Sequence, residues 1–354
     1  MGNCSFSKSC EVIEPNISIK DFDLQKILGS GSSGKVWKAL NRTNKQLVAI
    51  KVISKLLILK QGTVSHVINE KNILSQIKNP FIVNLNAAFQ DNYNLYLCID
   101  LMSGGDLRYH LNKKKQFSES QTKFFIACIF ISLDYLHQQG IIHRDLKPEN
   151  LVFDKQGYIR LTDFGMAGIW RPNSLDYVCG SVGYIAPEMI LKKQHGIGVD
   201  YFALGIIAYE CMLGKRPYEA NDLKQMKDLL LSQQIQLKRS ELPIEWSIEA
   251  GDFVNRLIKI KAEDRLGTND PQEVMKHPWF KNFDWNKLIS KQMNPPYVPK
   301  KSIGYSNCQK CKESKQKLLN IDILNSNQSC KKYQYKQEFA GYHFNPKNNN
   351  IKLK

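Results

Sequence analysis

The sequence predicts an α+β protein of two lobes, a small β-rich lobe followed by a larger helical one. Three observations carry this. Before residue 101 the chain reads as short runs rich in β-branched and aromatic residues, punctuated by glycines: DFDLQKILGS, VAIK, FIVNL (81–85) and NLYLCIDL (94–101). Gly104 and Gly105 then break the chain, and helical spacing takes over. It is clearest over 117–139, with apolar residues at Phe124, Ile131, Leu133 and Leu136. The 354 residues are enough for a large core with tails on either side. The expected division is an N-terminal segment 1–21, a folded unit 22–280 with lobes 22–101 and 104–280, and a tail 281–354.

Composition narrows the function classes. The hydrophobic fraction is 42%, as in globular proteins, and the longest apolar run, 124–133, is too short to span a bilayer. No cleavable signal pattern precedes it. Nine cysteines without a framework spacing predict reduced thiols and a cytoplasmic location. The formal charge of +17 is uneven: residues 281–354 hold 15 lysines, no arginine and four acids, a net +11. The tail carries no nucleic-acid-binding motif, so an anionic membrane is the preferred partner and nucleic acid is not expected. The competing reading is a solvated tail without a partner. A monomer is expected.

The chemistry is concentrated in HRDLKPENLVFDKQGYIRLTDFG (143–165), which sets Asp145, Lys147, Asn150 and Asp163 at fixed offsets. Phosphoryl transfer asks little covalent help of a protein; it needs an aimed hydroxyl and cations over the phosphate oxygens. Asp145 can orient the hydroxyl or take its proton, and Lys147 can cover γ-phosphate charge. Asn150 and Asp163 are hard oxygen ligands suited to Mg²⁺. The β-rich runs 151–153 and 158–161, with a turn signal over 154–157, read as a hairpin that brings Asp145 and Asp163 to one edge. A surface hairpin with scattered acids is the alternative, and the length of the pattern argues against it.

This stretch resembles the catalytic loop and DFG segment of a eukaryotic protein kinase, and Lys147 resembles the serine/threonine class. The family's other parts appear in order. Gly29, Gly31 and Gly34, followed by Val36, resemble the glycine-rich loop, whose backbone N–H groups approach phosphates where no Cβ intervenes. Ser33 stands at the tip, where the family usually has an aromatic residue. VAIK (48–51) supplies Ala49 and Lys51, and Glu70 in HVINEKNIL would hold Lys51 on the ATP phosphates. The resemblance makes Ile99 the gatekeeper and residues 100–103, with Asp100 and Met102, the adenine-binding hinge. It counts Val36 and Val152 among the ATP-binding residues and sets Asp106 at a ribose or at a substrate arginine.

In the larger lobe the resemblance implies that Ser181 bonds Asp145 and Lys147, and that Val178, Val182 and Ile185 receive the residue after the target hydroxyl. Asp200 would brace the HRD backbone, Phe164 and Arg144 would be structural, and Glu188 would pair with Arg265. Asp106, Glu149 and Asp228 are expected to receive basic residues upstream of the target. The implied activity is ATP- and Mg²⁺-dependent phosphorylation of serine or threonine in protein substrates, basic before the target and apolar after it.

Beyond residue 280 the sequence resembles the AGC group. FDWNKLISKQMNPPYVPK resembles the start of the AGC tail, and FAGYHF (339–344) its hydrophobic motif, with His343 where a phosphorylatable residue is usual. DLMSGGDLRYHL and the Gly2 terminus resemble the YANK branch, which the hydrophobic motif fits less well, so the branch stays open. MGNC predicts acylation at Gly2 and Cys4 and membrane association, although Phe6 stands where Ser or Thr is usual. In the activation segment, Tyr177 takes the usual phosphothreonine position facing Arg144, with Asp176 beside it and Ser174 upstream. Activity without phosphorylation there is therefore expected; phosphorylation of Ser174 is the alternative. Cys308 and Cys311 form a CxxC, but only Cys330 and His343 remain to complete a zinc site, so free thiols are the preferred reading.

Overall fold

The computed structural model describes residues 17–31, 34–170, 178–300 and 338–346. The small lobe is one antiparallel five-stranded sheet, in the order β1-β2-β3-β5-β4. Its strands are β1 (Phe22–Gly31), β2 (Gly34–Asn41), β3 (Leu47–Ser54), β4 (Leu85–Gln90) and β5 (Asn94–Ile99). Helices α1 (Lys55–Gln61) and α2 (Val64–Leu74) fall between β3 and β4. Alternation sends Trp37, Ala39, Ile50 and Val52 to one face, where they pack with stacked Phe22, Phe89 and Tyr96. FIVNL is not a strand: over 81–84 only Ile82 bridges, to Leu161, and β4 begins at Leu85. Its apolar residues Phe81, Ile82 and Val83 are buried as a connector between the lobes, which is why a β-rich run gave a false signal.

A short irregular segment leads to α3 (Leu107–Lys114), which Asp106 caps by accepting from Tyr109 N at 2.8 Å. The segment passes so close to Phe153 that a Cβ on Gly104 would meet that side chain at 2.5 Å. Helix α4 (Glu119–Gln138) starts with a Ser118–Gln121 capping box and runs through the large core. Short strands β6 (Ile141–Ile142), β7 (Leu151–Phe153), β8 (Ile159–Leu161) and β9 (Gly168–Ile169) follow, paired β6–β9 and β7–β8. The rest is helical: α5 (Pro187–Ile190), α6 (Gly198–Leu213), α7 (Leu223–Ser232), α8 (Ile248–Leu257), α9 (Gln272–Lys276) and α10 (Trp285–Ile289). Helix α6 is buried at every position but Leu213. None of the described helices is long and apolar enough to cross a membrane.

The C-terminal extension straps both lobes. Trp285 packs on Phe130 of α4, and Tyr297 bonds His110 of α3 at 2.7 Å among the rings of Phe117, Phe125 and Phe153. Residues 338–346 return to the small lobe. Phe339 and Tyr342 are buried, and Phe344 exchanges backbone hydrogen bonds with Ala88 of β4 at 2.8 and 3.0 Å. Gln90 donates to the Phe339 carbonyl at 2.8 Å and Lys71 of α2 to the Gly341 carbonyl at 3.1 Å. His343 is exposed.

Candidate active site

The phosphate side is built on β1, β2, β3 and α2. Gly29 and Gly31 lie on β1, and Gly34 on β2 opposite Ile53; a Cβ on Gly34 would run into the Val52 carbonyl. Ser33, at the loop tip, lies outside the described residues. Lys51 stands on β3 between Val36 and Leu97, and its ammonium donates to both Glu70 oxygens, at 3.0 and 2.8 Å. Glu70 shares the core-facing stripe of α2 with Val67, Ile73 and Leu74. A carboxylate is stable there because the lysine pairs with it. Burial opposes the Lys51 charge, but attraction to Glu70 and Asp163 raises its pKa to about 12. Burial lifts the Glu70 carboxyl above the usual range against the pull of Lys51.

The catalytic loop and the DFG segment meet below. Arg144 and Asp163 hold left-handed backbone conformations, φ 65° and 66°, which non-glycine residues adopt at a cost. Asp200 pins the first of these: its oxygens accept from His143 N and Arg144 N, both at 2.9 Å, and His137 bonds it at 2.9 Å. Burial works against the Asp200 charge, yet His137, His143 and these bonds hold its pKa below the ordinary value. Asn69 of α2 donates to the carbonyls of Phe164, Gly165 and Ala167, at 3.2, 3.3 and 2.8 Å. Phe164 is buried edge-on to His143. The sequence reading missed Asn69; its one signal is a polar residue beside Glu70 on the same helix.

Asp145, Lys147 and Ser181 form a triangle. Lys147 donates to Asp145 and to Ser181 at 2.7 Å each, and Ser181 donates to Asp145 at 2.8 Å. Asn150 donates to the Asp145 carbonyl at 2.9 Å, which leaves its amide oxygen to coordinate. Burial disfavours an ionised Asp163, but Lys51, His143 and Lys147 pull its pKa below the ordinary value, so it is a carboxylate at neutral pH. One ionised carboxylate and one amide oxygen are hard donors, and they fit Mg²⁺.

The residues expected around adenine are dispersed as follows. Ala49 on β3 is buried opposite Ile99, the last residue of β5. Val36, Met102 and Val152 are half-buried, and Val152 bridges to Asp106. Asp100 is a tie between lobes: its N–H bonds the Asn84 carbonyl at 3.1 Å, and its carboxylate bonds Arg160 at 3.0 Å and Asn84 at 3.0 Å. Its side chain is therefore engaged within the fold. The Asp106 cap leaves one carboxylate oxygen for other work.

On the peptide side, Ser181, Val182, Lys147, Glu149, Glu210 and Arg108 border a cavity of about 460 Å³ together with Tyr184 and Arg216. Val178 and Val182 are half-buried; Ile185 is buried in the core beneath them. Asp228 does not border this cavity. On α7, Met226 and Leu230 face inward, which turns Asp228 to solvent. The second carboxylate at this cavity is Glu210 of α6, joined to Glu149 through Arg108. The sequence carried a signal for it: an acid in a helix this apolar demands a buried partner, as Asp200 of the same helix does. Deeper in the lobe, Glu188 and Arg265 pair at 2.7 and 3.0 Å, with Arg265 1% exposed.

Gly2, Cys4, Ser174, Asp176, Tyr177, Cys308, Cys311 and Cys330 lie outside the described residues. Among the described residues no group of three or more His, Cys, Asp or Glu could hold a metal ion.

A sequence model of the protein kinase domain matches residues 22–280. This chain belongs to the protein kinase family. It is 37% identical to a probable serine/threonine-protein kinase of Dictyostelium discoideum, over 84% of this chain and 65% of that one. It is 38% identical to the serine/threonine-protein kinase sgk-1 of Caenorhabditis elegans, over 79% and 60%. It is 37% identical to the Dictyostelium cAMP-dependent protein kinase catalytic subunit, over 80% and 43%. These relatives are of the AGC type, and their similar identities leave the branch open. The chain spans about three fifths of the length of the first curated relatives it matches.

Proposed function

We propose that this chain transfers the γ-phosphate of ATP to serine or threonine hydroxyls of protein substrates. The observation that carries the reading is the Asp145–Lys147–Ser181 triangle, standing beside an ionised Asp163 and a closed Lys51–Glu70 pair. Lys51, held by Glu70, presents its charge to the α- and β-phosphates, and the backbone at Gly29, Gly31 and Gly34 approaches the phosphates. Val36, Ala49 and Val152, with Ile99 and the hinge at Met102, take the adenine. Mg²⁺, when bound by Asn150 and Asp163, neutralises phosphate charge. Asp145 orients the substrate hydroxyl and accepts its proton, and Lys147 covers charge developing on the γ-phosphate. Val178 and Val182 offer apolar surface to the residue after the target.

Transfer of labelled phosphate from ATP to serine and threonine peptides tests this. Lys51→Met and Asp163→Ala are each expected to lower transfer by about 100-fold or more. Turnover by Asp163→Ala at the wild-type rate contradicts the assignment.

A second part of the reading concerns location. Acylation at Gly2 and Cys4, with the basic tail, supports attachment to an anionic membrane from the cytoplasmic side, because one acyl chain alone binds only marginally. Gly2→Ala is expected to move most of the protein into the soluble fraction; unchanged fractionation rejects the acyl anchor.

A further inference from the structure

We propose that Arg108 is a built-in occupant of the acidic subsite upstream of the target hydroxyl, so that this chain's substrates need no arginine there. The inference deepens the kinase reading and rests on it. Arg108 Nε donates to Glu149 at 2.8 Å, Nη1 to Glu210 at 2.7 Å and Nη2 to Glu210 at 3.1 Å; Nη2 also bonds the Tyr184 hydroxyl. Tyr184 in turn donates to Glu210 at 2.5 Å. Both Glu210 oxygens are thus engaged, and the fork is bidentate, the geometry in which a guanidinium holds a carboxylate best. Burial opposes the charge on Arg108, but its bonds to Glu210 and Glu149 and its neighbour Tyr184 hold its pKa above the ordinary arginine value.

The site lies beside the chemistry, because Lys147 and Ser181 of the triangle border the same cavity. The charge count there leaves no vacancy for a cation. Glu149 and Glu210 face three cations, Arg108, Lys147 and Arg216, and Lys147 also pairs with Asp145. Arg216 donates to the Val182 carbonyl at 3.2 Å. Helix α3 holds Arg108 in place from its backbone, through the Asp106 cap and buried Leu107 and Leu111. A substrate arginine would have to expel this tethered competitor, whose effective concentration is on the order of millimolar or higher.

The test is fluorescence anisotropy with the full chain and labelled serine peptides, in which each of the positions before the serine carries alanine or arginine. The ratio of the two dissociation constants is read within one preparation, so partial misfolding of a variant cancels. Wild-type protein is expected to bind both forms within about threefold, and Arg108→Ala to bind an arginine form at least about tenfold tighter at one or more positions. Glu149→Gln in the Arg108→Ala background should shrink that gain. Arg108→Gln, which keeps the stem and a hydrogen-bonding head, is the second variant and should gain in the same direction. Tenfold preference for arginine by the wild type, or no gain in either Arg108 variant, overturns the proposal. Phosphate transfer measured in parallel separates the two readings: its absence counts against the kinase assignment, while anisotropy alone decides the role of Arg108.

Discussion

The phosphate side and the peptide side of this site use the same chemistry to opposite ends. On the phosphate side, Glu70 holds Lys51, and the buried carboxylate keeps the cation's pKa high and its head in place. On the peptide side, Arg108 holds Glu149 and Glu210, and the cation consumes the carboxylates instead. One pair prepares a charge for a ligand; the other satisfies charges that a ligand would have sought. A buried carboxylate therefore does not by itself define a basic-binding site. What decides is whether the fold already supplies its partner.

Perturbing each side alone separates the two roles. The larger effect is expected from Phe339→Ala. Phe339 is buried under the Lys55 ammonium, 5.2 Å from the ring centroid, in the segment whose Gly341 carbonyl binds Lys71 of α2. Losing a buried phenyl ring removes about 1.5–3 kcal/mol of docking. The segment should become sensitive to limited proteolysis, and transfer should fall as α2 and Glu70 loosen. Preference among upstream residues should stay as it was. A change in that preference would show that the two sides are not separable.

A smaller effect is expected from acid. His110, on the same helix as Arg108, is buried between the Gly104 carbonyl and the Tyr297 hydroxyl, at 2.7 Å from each. Burial lowers its pKa below the ordinary 6.5, as it does for His195 and His277. For a depressed folded-state pKa, stability is fully present above the unfolded value and is lost as pH falls through the folded one. Melting temperature should therefore hold above about pH 7 and decline from about pH 6.5 downward. His110→Gln should flatten part of that decline. A melting temperature that rises on acidification over this range contradicts the sign.

The phosphate side was legible in the sequence because its residues are local: Asp145, Lys147 and Asn150 precede the β7–β8 hairpin and Asp163 follows it, and short-range spacing fixes where they meet. The AGC-like anchors Phe339, Tyr342 and Phe344 were legible for the same reason, although the face they would cover was not. The peptide side was legible only in part, through Glu149, Ser181 and Val182, because its other partners are distant; Arg108 and Glu210 are 102 residues apart and meet only through the packing of α3, α6 and the loop holding Tyr184. No periodicity reports such a contact. Asp228 was assigned by resemblance to a position that receives an upstream arginine, but the amphipathic pattern of α7 turns it outward. FIVNL was misread for the converse reason: burial between lobes selects the same residues as a strand does.

We propose that the phosphate side is already complete in the unphosphorylated chain, since the Lys51–Glu70 pair is closed, Asp163 is ionised and the Asp145–Lys147–Ser181 triangle is formed. The direct measurement is transfer from ATP to an alanine-flanked serine peptide by bacterially expressed protein shown phosphate-free by mass spectrometry. Turnover well above that of Asp163→Ala is expected, changed by no more than about twofold after phosphorylation of the activation segment. Protein that is inert until Ser174 or Tyr177 is modified would contradict it.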